Sequence, residues 1–501
     1  MRKLLSIILF IISILSLSCN NNKSLSTSSI GKVGEIIVDP YGLAPLSAIY
    51  ITESVNSSPI TVTVKGLYGE PDIIHTYPAG YGTEFEIHGM FPESQNIIEV
   101  NDGGRIITKN INIGQVSIKG ISIPSKFTVE VNNLPEEKYP NNPDIYFMSF
   151  TGSLYPSSLG VSKNGYLRYV NNKLYFFRIM YNNKTSYLWD QNTGIATLAG
   201  KYTLKYPNTM KNHHDAIKYN DQYFCLSETE FGREDGFTIL NSSGNVVKEL
   251  RFATLIRDIV KDPNEISILN EIIFDENNKY LQNGVAKWID WFHANSLVYD
   301  PSKDILYVSS RHRGVLAIDY SEWKLIWWMA DNNMDTAIGT GYAQIPYDKH
   351  FEDLPSLKPY RVMGDGATDG PRNQHALFLL ANGNLGMFDN NGDVIGKTEG
   401  SRYVEYEIKG EHGNYIATKK SDNRGENIYS RTSSDVDYTS DNNILMLYAD
   451  PQAKLLEIEK STDKVLFKLV TSYSGYRVEK MPLYYDDGRV YSEDYNLKNP
   501  N

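Results

Sequence analysis

The 501-residue sequence predicts an all-β protein, made of a six-bladed β-propeller preceded by an N-terminal β-sandwich. Two observations lead to this fold class. Aromatic residues form 12% of the chain, with 36 tyrosines, and strands accept aromatic and β-branched side chains well. Short apolar runs separated by polar turns also recur along most of the chain, a pattern typical of antiparallel hairpins.

Residues 1–18 are predicted to be a signal peptide of the lipoprotein type. A short positive start, Met1-Arg2-Lys3, precedes an apolar run from residue 4 to residue 17 that is too short for a comfortable membrane span. The run ends at Ser18-Cys19, where a small residue precedes the cysteine that would carry the lipid. Ordinary secretion with cleavage near Cys19 is the alternative. Both interpretations export the protein, either to the periplasm or to a membrane anchor.

Residues 19–30 are predicted to be the lipidated cysteine and a flexible tether, because the residues that follow Cys19 are small and polar. The predicted sandwich spans residues 31–134, where alternating runs are separated by glycine, proline and asparagine. The alternating runs are 35–38, 60–64, 83–87, 96–100 and 127–131. A stretch rich in proline and asparagine follows and marks a domain boundary. The predicted propeller spans residues 140–501.

Six hairpin-like units support the propeller. Each unit is an apolar strand, a turn rich in asparagine, aspartate or glycine, and a second apolar strand. The units span residues 159–167, 187–195, 238–247, 316–328, 386–395 and 456–467. The later ones are spaced by about 70 to 80 residues, enough for four strands each. The first two lie closer together, which leaves the blade count open by one, and an array of β-sandwiches is the alternative architecture.

Three histidines occupy comparable sequence frames. An apolar strand follows directly after His214, His293 and His375, and it reaches an aspartate or asparagine seven residues later. Each segment also precedes one of the hairpin units. The three residues are therefore expected at the same position of three successive blades, and the starts of inner strands surround the channel of a propeller. We expect the three imidazoles to meet there.

Arg311 is expected to join the histidines because it follows the His293 strand by one hairpin. Three imidazoles and a guanidinium form a donor-rich site that suits a tetrahedral oxyanion such as sulfate or phosphate. A three-histidine metal site is the alternative. An arginine would repel a dication, and no carboxylate has an obvious ligand spacing, so neither a metal nor a cofactor is predicted.

The net charge of −11 excludes electrostatically driven nucleic-acid binding, because no basic block offsets it. An anionic small substrate still fits, provided that a local cluster of cations overrides the global field. Residues 20–501 contain no further apolar anchor, so contact with a membrane is expected through the N-terminal lipid alone.

Several motifs resemble the bacterial arylsulfate sulfotransferase family, exported enzymes that use no nucleotide sulfate donor. The motifs are His213-His214-Asp215, Asp290–Ser296, Ser309–His312 and Asn373–Ala376, together with Asp39–Ala48 near the start and Ser401–Ile408. The resemblance covers nearly the whole mature chain and implies a six-bladed propeller behind a small β domain. It also implies transfer of a sulfuryl group from a phenolic sulfate ester to a phenol by a ping-pong mechanism through a sulfohistidine.

By the same resemblance, His375 matches the histidine that becomes sulfated, and His293 and Arg311 match sulfate-binding residues. The register favours His214 over His213 as the third histidine, and His213 and Asn295 are weaker candidates for substrate contact. A ligand-binding surface propeller without catalysis and an arylsulfatase-like hydrolase are the competing functions. The sequence leaves open a homodimer, the natural substrates, and which histidine protonates the leaving group.

Overall fold

The structure is a computed structural model, and strands dominate the part of the chain that it describes, which confirms the all-β class. The described residues are 31–174, 176–182, 185–190, 194–207, 211–229, 232–269, 279–282, 285–288, 291–332, 354–392 and 399–484. The predicted signal peptide, Cys19 and the tether lie outside these residues, so they stay predictions.

Seven strands near the N-terminus form two antiparallel sheets. The first sheet has the order β1 (Ile36–Val38), β2 (Ser47–Ile51), β5 (Glu84–His88), and the second has the order β4 (Ile73–Tyr77), β3 (Ile60–Val64), β6 (Ser94–Asp102), β7 (Arg105–Ile113). The alternation in the sequence explains the packing, since Ile60, Val62 and Val64 are buried on one face of β3 together with Phe85 and Ile87 of β5. The predicted sandwich thus has a shared apolar interior.

The strand expected at residues 127–131 does not join these two sheets. A short hairpin, β8 (Ser117–Ile118) and β9 (Ile121–Ser122), leads to β10 (Thr128–Asn132), which pairs with Lys464–Val470 of the C-terminal part. The alternating pattern identified a strand correctly, but its assignment to the sandwich was wrong.

Six four-stranded antiparallel sheets follow. In each sheet the strands are given from the first strand outward. The first two sheets are β37 (Gly475–Pro482), β11 (Asp144–Phe150), β12 (Ser157–Val161), β13 (Leu167–Asn171), and β14 (Phe176–Asn182), β15 (Thr185–Asp190), β16 (Gly194–Thr197), β17 (Tyr202–Lys205). The next two are β18 (Asn212–Tyr219), β19 (Gln222–Thr229), β20 (Gly232–Asn241), β21 (Val246–Arg251), and β24 (Ala294–Asp300), β25 (Ile305–Ser310), β26 (Gly314–Asp319), β27 (Lys324–Met329). The last two are β29 (His375–Leu379), β30 (Leu385–Asp389), β31 (Arg402–Lys409), β32 (Tyr415–Asn423), and β33 (Asp435–Tyr438), β34 (Ile444–Tyr448), β35 (Lys454–Glu459), β36 (Lys464–Val470). Each predicted hairpin unit begins in a different one of these sheets.

Four further strands extend or accompany these sheets. Strand β10 lies at the outer edge of the β33–β36 sheet, and β28 (Val362–Gly364) pairs in parallel with β32. Strands β22 (Lys279–Gln282) and β23 (Val285–Trp288) form a separate hairpin between β21 and β24.

The first strands of the six sheets contact one another in sequence order. Contacts join β14 with β18, β18 with β24, β24 with β29, and β29 with β33. Strand β37 contacts both β33 and β14, and it pairs with β11 along nearly its whole length. The last strand of the described chain therefore completes the sheet that the first strands of this region began.

The helices are few and short. The α-helices are α1 (Phe252–Ile259), α2 (Pro263–Leu269) and α3 (Asp365–Thr368), and 3₁₀ turns occupy Gly152–Leu154 and Lys358–Tyr360. Helix α1 buries Phe252, Leu255 and Ile256 in a core cluster that also holds Trp291 and Trp328. None of the helices within the described residues has the length and apolar character needed to cross a membrane.

Candidate active site

The three predicted histidines lie at the starts of the first strands of three consecutive sheets. His214 is the third residue of β18, His293 directly precedes β24, and His375 begins β29. The ring centroids of His214 and His293 are 4.8 Å apart. His293 and His375 both lower the pKa of His214, and His293 also lowers the pKa of His375. The three residues therefore lie close together, as the sequence register predicts.

The backbone is irregular at each histidine. The pairing register shifts between Asn212 and Ala216 in β18, between Ala294 and Ser296 in β24, and between His375 and Phe378 in β29. The residues with positive φ at these points are His214 (φ 58°), His293 (φ 55°) and Ala376 (φ 53°). Bulges redirect side chains away from the regular alternation of a strand, and a non-glycine residue in this region is strained by about 1–2 kcal/mol. This local structure turns the imidazoles towards one another.

Two side chains fix the three strands relative to each other. Asp215 Oδ2 accepts a hydrogen bond from the backbone N–H of Leu297 at 3.1 Å, which joins β18 to β24. Ser296 Oγ accepts one from the N–H of Leu377 at 2.9 Å, which joins β24 to β29. Asp215 and Ser296 are both fully buried, so water competes little for these bonds.

His375 is held in one tautomer by Asn390. The side-chain Nδ2 of Asn390 donates to the backbone carbonyls of Ser430 (2.9 Å) and Ser433 (3.1 Å), so its Oδ1 is the atom that faces His375. That oxygen lies 2.8 Å from Nδ1 of His375 and can only accept, so Nδ1 carries the hydrogen. The lone pair of the neutral ring is therefore on Nε2.

Burial and the neighbouring charge of Arg311 hold the pKa of His375 well below its ordinary value, and His293 and Arg477 act in the same direction. The hydrogen bond to Asn390 opposes this shift. The imidazole is consequently neutral at pH 7, and its Nε2 is available as a nucleophile.

Arg311 is a buried arginine with no described partner for its guanidinium. Its backbone N–H donates to the carbonyl of His293 at 2.9 Å, which confirms that the hairpin returns it beside that residue. The side chain is 5% exposed, and no described residue accepts a hydrogen bond from its buried Nε. Among the described residues, therefore, no anion neutralises this guanidinium.

Arg477 lies in the same region, and two buried aspartates neutralise its guanidinium. Its Nη1 lies 3.1 Å from Asp435 and its Nη2 lies 3.8 Å from Asp215, and Nη2 also donates to the carbonyl of Asn295 at 3.3 Å. The two aspartates raise the pKa of Arg477 above its usual value despite its burial. Arg477 thus belongs to an ion-pair cluster, whereas the charge of Arg311 acts on His375.

His214 and His213 contact each other, and only His214 also contacts His293. Their Nδ1 atoms are 2.9 Å apart. Burial lowers the pKa of both rings, and for His214 the neighbours His293, His213 and His375 lower it further while Glu234 opposes them. His214 is half-buried and His213 is 5% exposed, so the geometry favours His214 as the ring that faces a ligand.

Asn295 lies behind the site. Its Nδ2 donates to the carbonyl of Gln374 at 2.6 Å, and its Oδ1 accepts from the hydroxyl of Ser296 at 3.3 Å. Gln374 in turn donates through Nε2 to Ser309 Oγ (2.9 Å) and to two backbone carbonyls. These bonds hold the residue before His375, which is a supporting position rather than a place of direct ligand contact.

Sequence reasoning missed Glu234 as well as Asn390. Glu234 Oε2 lies 2.6 Å from Nδ1 of His293, and both residues are buried. His214, Glu234 and His293 each offer one possible ligand atom within 4.8 Å of the others, a set that could hold a divalent cation. The nearby Arg311 guanidinium disfavours such an ion, and the prediction that the site uses no metal stays a prediction.

Two family models match the sequence. The arylsulfotransferase (ASST) model matches residues 131–480, and the model of the arylsulfotransferase Ig-like domain matches residues 35–113. The match over residues 131–480 places the chain in the class of sulfotransferases. It belongs to the arylsulfotransferase family.

Two curated relatives carry the name arylsulfate sulfotransferase AssT. The one from Escherichia coli O6:H1 is 22% identical over 508 residues, covering 83% of this chain and 84% of the relative. The one from Lelliottia amnigena is 27% identical over 201 residues, covering 36% of this chain and 31% of the relative. The first of these covers most of both chains, in agreement with the resemblance found from the motifs.

Similarity to solved structures is weak. A protein of unknown function from Bacteroides thetaiotaomicron has a TM-score of 0.31 and 11% identity, covering 90% of this chain and 96% of that one. Apo AztD from Citrobacter koseri has a TM-score of 0.27 and 9% identity, covering 85% and 98%.

Proposed function

We propose that the protein transfers a sulfuryl group from a phenolic sulfate ester to a phenol, by a ping-pong mechanism in which His375 is transiently sulfated. The observation that carries the proposal is a neutral imidazole, with its lone pair on Nε2, beside a buried guanidinium that has no described anionic partner. A nucleophile and a cation placed in this way suit the transfer of an anionic group.

In the first half-reaction, Nε2 of His375 attacks the sulfur of the donor. The N–S bond forms as the bond between sulfur and the phenolic oxygen breaks, and the phenol leaves after it takes up a proton. Arg311, His214 and His293 hold the sulfonyl oxygens, whose charge grows in the loose transition state. The hydrogen on Nδ1 of His375 stays hydrogen-bonded to Asn390, so the nucleophile does not have to lose a proton.

In the second half-reaction, an acceptor phenol takes the place of the first one. Its oxygen attacks the sulfur, the N–S bond breaks, and the phenolic proton passes to the group that protonated the first leaving phenol. Donor and acceptor oxygens have similar basicity, so the exchange is reversible and needs no nucleotide. No cofactor is part of this proposal.

We infer that the six sheets form a closed six-bladed propeller behind the Ig-like domain, with its catalytic part in the predicted range 140–501. Support comes from the contacts that join the first strands in the order β14, β18, β24, β29, β33, β37 and back to β14. Strand β37 also pairs with β11, as expected where the chain ends close a ring. In such a ring the three histidine strands lie side by side around the channel.

One assay separates the competing functions. The pure protein is incubated with 4-nitrophenyl sulfate, with and without added phenol, and with a chelator in a parallel series. Release of nitrophenol that requires phenol supports the transferase, and the chelator should leave it unchanged. Release without phenol would identify a hydrolase, no release would favour a binding protein, and loss on chelation would favour the metal alternative.

Replacing Asn390 with alanine should reduce turnover by about 10²–10⁴-fold. The variant removes the acceptor that keeps the hydrogen on Nδ1 of His375, and a catalytic histidine in the wrong tautomer loses activity on this scale. The measurement is kcat for 4-nitrophenyl sulfate with phenol in excess. Asn391→Gly is the matched control, because Asn391 has a φ of 51° that suits glycine and accepts from Arg372 rather than from a histidine. Equal effects of both variants would contradict the tautomer argument.

We further propose that Cys19 is lipidated and anchors the protein to a membrane. The wild type should then partition into the detergent phase and Cys19→Ala into the aqueous phase, because residues 20–501 offer no second apolar anchor. Detergent phase separation of both forms, expressed in a bacterium that processes lipoproteins, measures this. A wild type found in the aqueous phase with a free N-terminus would instead support ordinary secretion.

A further inference from the structure

Glu234 reaches His293 from an irregular part of its own strand. The pairing of β19 with β20 shifts between Ser227 and Thr229, and Glu234 lies in the resulting bulge with a φ of 52°. Its carboxylate is 7% exposed and lies 2.6 Å from Nδ1 of His293. Two buried residues in strained conformations thus meet at one short contact, although 59 positions separate them in the sequence.

We propose that Glu234 is a positioning residue that orients the ring of His293, so that His293 rather than His214 exchanges the proton with the leaving and incoming phenols. In this refinement Nε2 of His293 serves the phenolic oxygen, and Arg311 and His214 alone hold the sulfonyl oxygens. This inference rests on the proposed sulfuryl transfer and identifies the proton donor that the proposal leaves open. A carboxylate on Nδ1 keeps a hydrogen on that nitrogen and directs the other ring nitrogen, Nε2, to the substrate.

The proton balance is complete. As the donor's S–O bond breaks, protonated His293 gives the hydrogen on Nε2 to the phenolic oxygen and becomes neutral, while the hydrogen on Nδ1 stays beside the Glu234 carboxylate. When the acceptor attacks, its phenolic proton returns to Nε2 of His293 as the N–S bond to His375 breaks. Glu234 stays ionised throughout and stabilises the protonated ring.

His214 is a poor candidate for the same task. Its Nδ1 meets the imidazole of His213 at 2.9 Å instead of a carboxylate, and burial keeps its pKa well below the ordinary value. A neutral His214 can donate a hydrogen bond to a sulfonyl oxygen but does not supply a proton to a phenolate.

The charges around His293 make Glu234 necessary. The rings of His214 and His312 lie 4.8 and 5.3 Å from it, Arg311 follows at the end of the neighbouring strand, and His375 interacts with it electrostatically. All of these groups are bases or cations, so they oppose a positive charge on His293. Glu234 supplies the negative charge that offsets them.

The test is Glu234→Gln, assayed with donors whose leaving phenols differ in basicity. Glutamine keeps the size of the side chain and an oxygen acceptor but removes the charge. For 4-nitrophenyl sulfate, whose leaving group hardly needs a proton, kcat should fall less than about fivefold. For phenyl sulfate, whose leaving group is more basic, it should fall about 10²-fold, the usual scale of general acid catalysis. Glu234→Asp, which keeps the charge, should recover part of the loss on phenyl sulfate only.

Glu405→Gln is the control, because Glu405 is as buried as Glu234 but contacts Asn384 and Tyr403 in another sheet. An equal fall on both donors, or no fall on either, would overturn the inference.

¹⁵N NMR of labelled histidines gives a readout that is independent of turnover. The signal assigned by comparison with His293→Asn should show a hydrogen on Nδ1 in the wild type, and a wild-type ring without that hydrogen would refute the positioning role. A wild type that transfers no sulfuryl group would refute the proposed function, whatever the NMR result.

Discussion

Replacing His375 with asparagine is expected to abolish sulfuryl transfer without unfolding the protein. Removal of a covalent nucleophile costs on the order of 10⁶ in rate in the best-studied serine proteases, and we expect a loss of at least about 10⁴ here. Asparagine is polar and small enough for the space, and its amide can still donate to Asn390, so the buried acceptor is not left unpaired. Turnover of 4-nitrophenyl sulfate with phenol in excess measures the loss, and the melting temperature reports the fold.

The covalent intermediate gives a second measurement for the same residue. Donor supplied without acceptor should add one SO₃ to the peptide that contains His375, and His375→Asn should take up none. His412→Asn is the matched control, because that exposed ring contacts Tyr360 far from the site and its variant should be sulfated like the wild type. A label on the peptide that contains His214 or His293 would show that our proposal names the wrong histidine as the nucleophile.

The pH dependence of the sulfation step follows from the environment of His375. Protonation of Nε2 removes the lone pair, so the step should weaken as the pH falls through the pKa of this residue. Burial and Arg311 hold that pKa well below the ordinary value of about 6.5. The acid limb of single-turnover sulfation should accordingly lie below pH 6.5, and a limb above that value would contradict a buried neutral nucleophile.

The central part of the site could be predicted from the sequence because it repeats. His214, His293 and His375 share one frame, and a frame that recurs in successive sheets places its members side by side. Arg311 was also predictable, since a single hairpin returns the chain to His293. The same repetition predicted the all-β class and a hairpin in five of the six sheets.

The supporting residues could not be predicted, because their roles depend on irregular backbone. Glu234 lies in a bulge with positive φ, so the alternation of β20 does not say where its side chain points. Asn390 belongs to a stretch interpreted as the turn of a tight hairpin, but β30 ends at Asp389 and its partner β31 begins only at Arg402. Strand β10 shows a related limit, since an alternating pattern identifies a strand without identifying the sheet it joins.

Arg311→Lys is expected to reduce turnover by about 10²–10³-fold. The planar guanidinium can bind two sulfonyl oxygens at once, whereas lysine offers a single point charge, and loss of one transition-state donor has this magnitude. Near-wild-type turnover of the lysine variant would mean that Arg311 only packs.

Arg311→Met should remove the activity of the protein without lowering its stability. An unpaired charge taken out of water is costly, so methionine should abolish transfer and leave the melting temperature equal to the wild type or higher when no anion is present. Arg477→Met is the contrasting variant: it leaves Asp435 and Asp215 buried without their partner, and breaking a buried pair costs about 3–5 kcal/mol.

Inorganic sulfate distinguishes the two arginines further. A ligand that binds only the folded protein stabilises it by about 2.7 kcal/mol at 100 times its Kd. Sulfate should therefore raise the melting temperature of the wild type and of Arg477→Met, but not that of Arg311→Met. A sulfate-dependent shift that survives in Arg311→Met would place the anion elsewhere. Because Arg311 has no described anionic partner, we propose that the substrate's sulfonyl group neutralises it, so that binding and catalysis depend on the same ion pair.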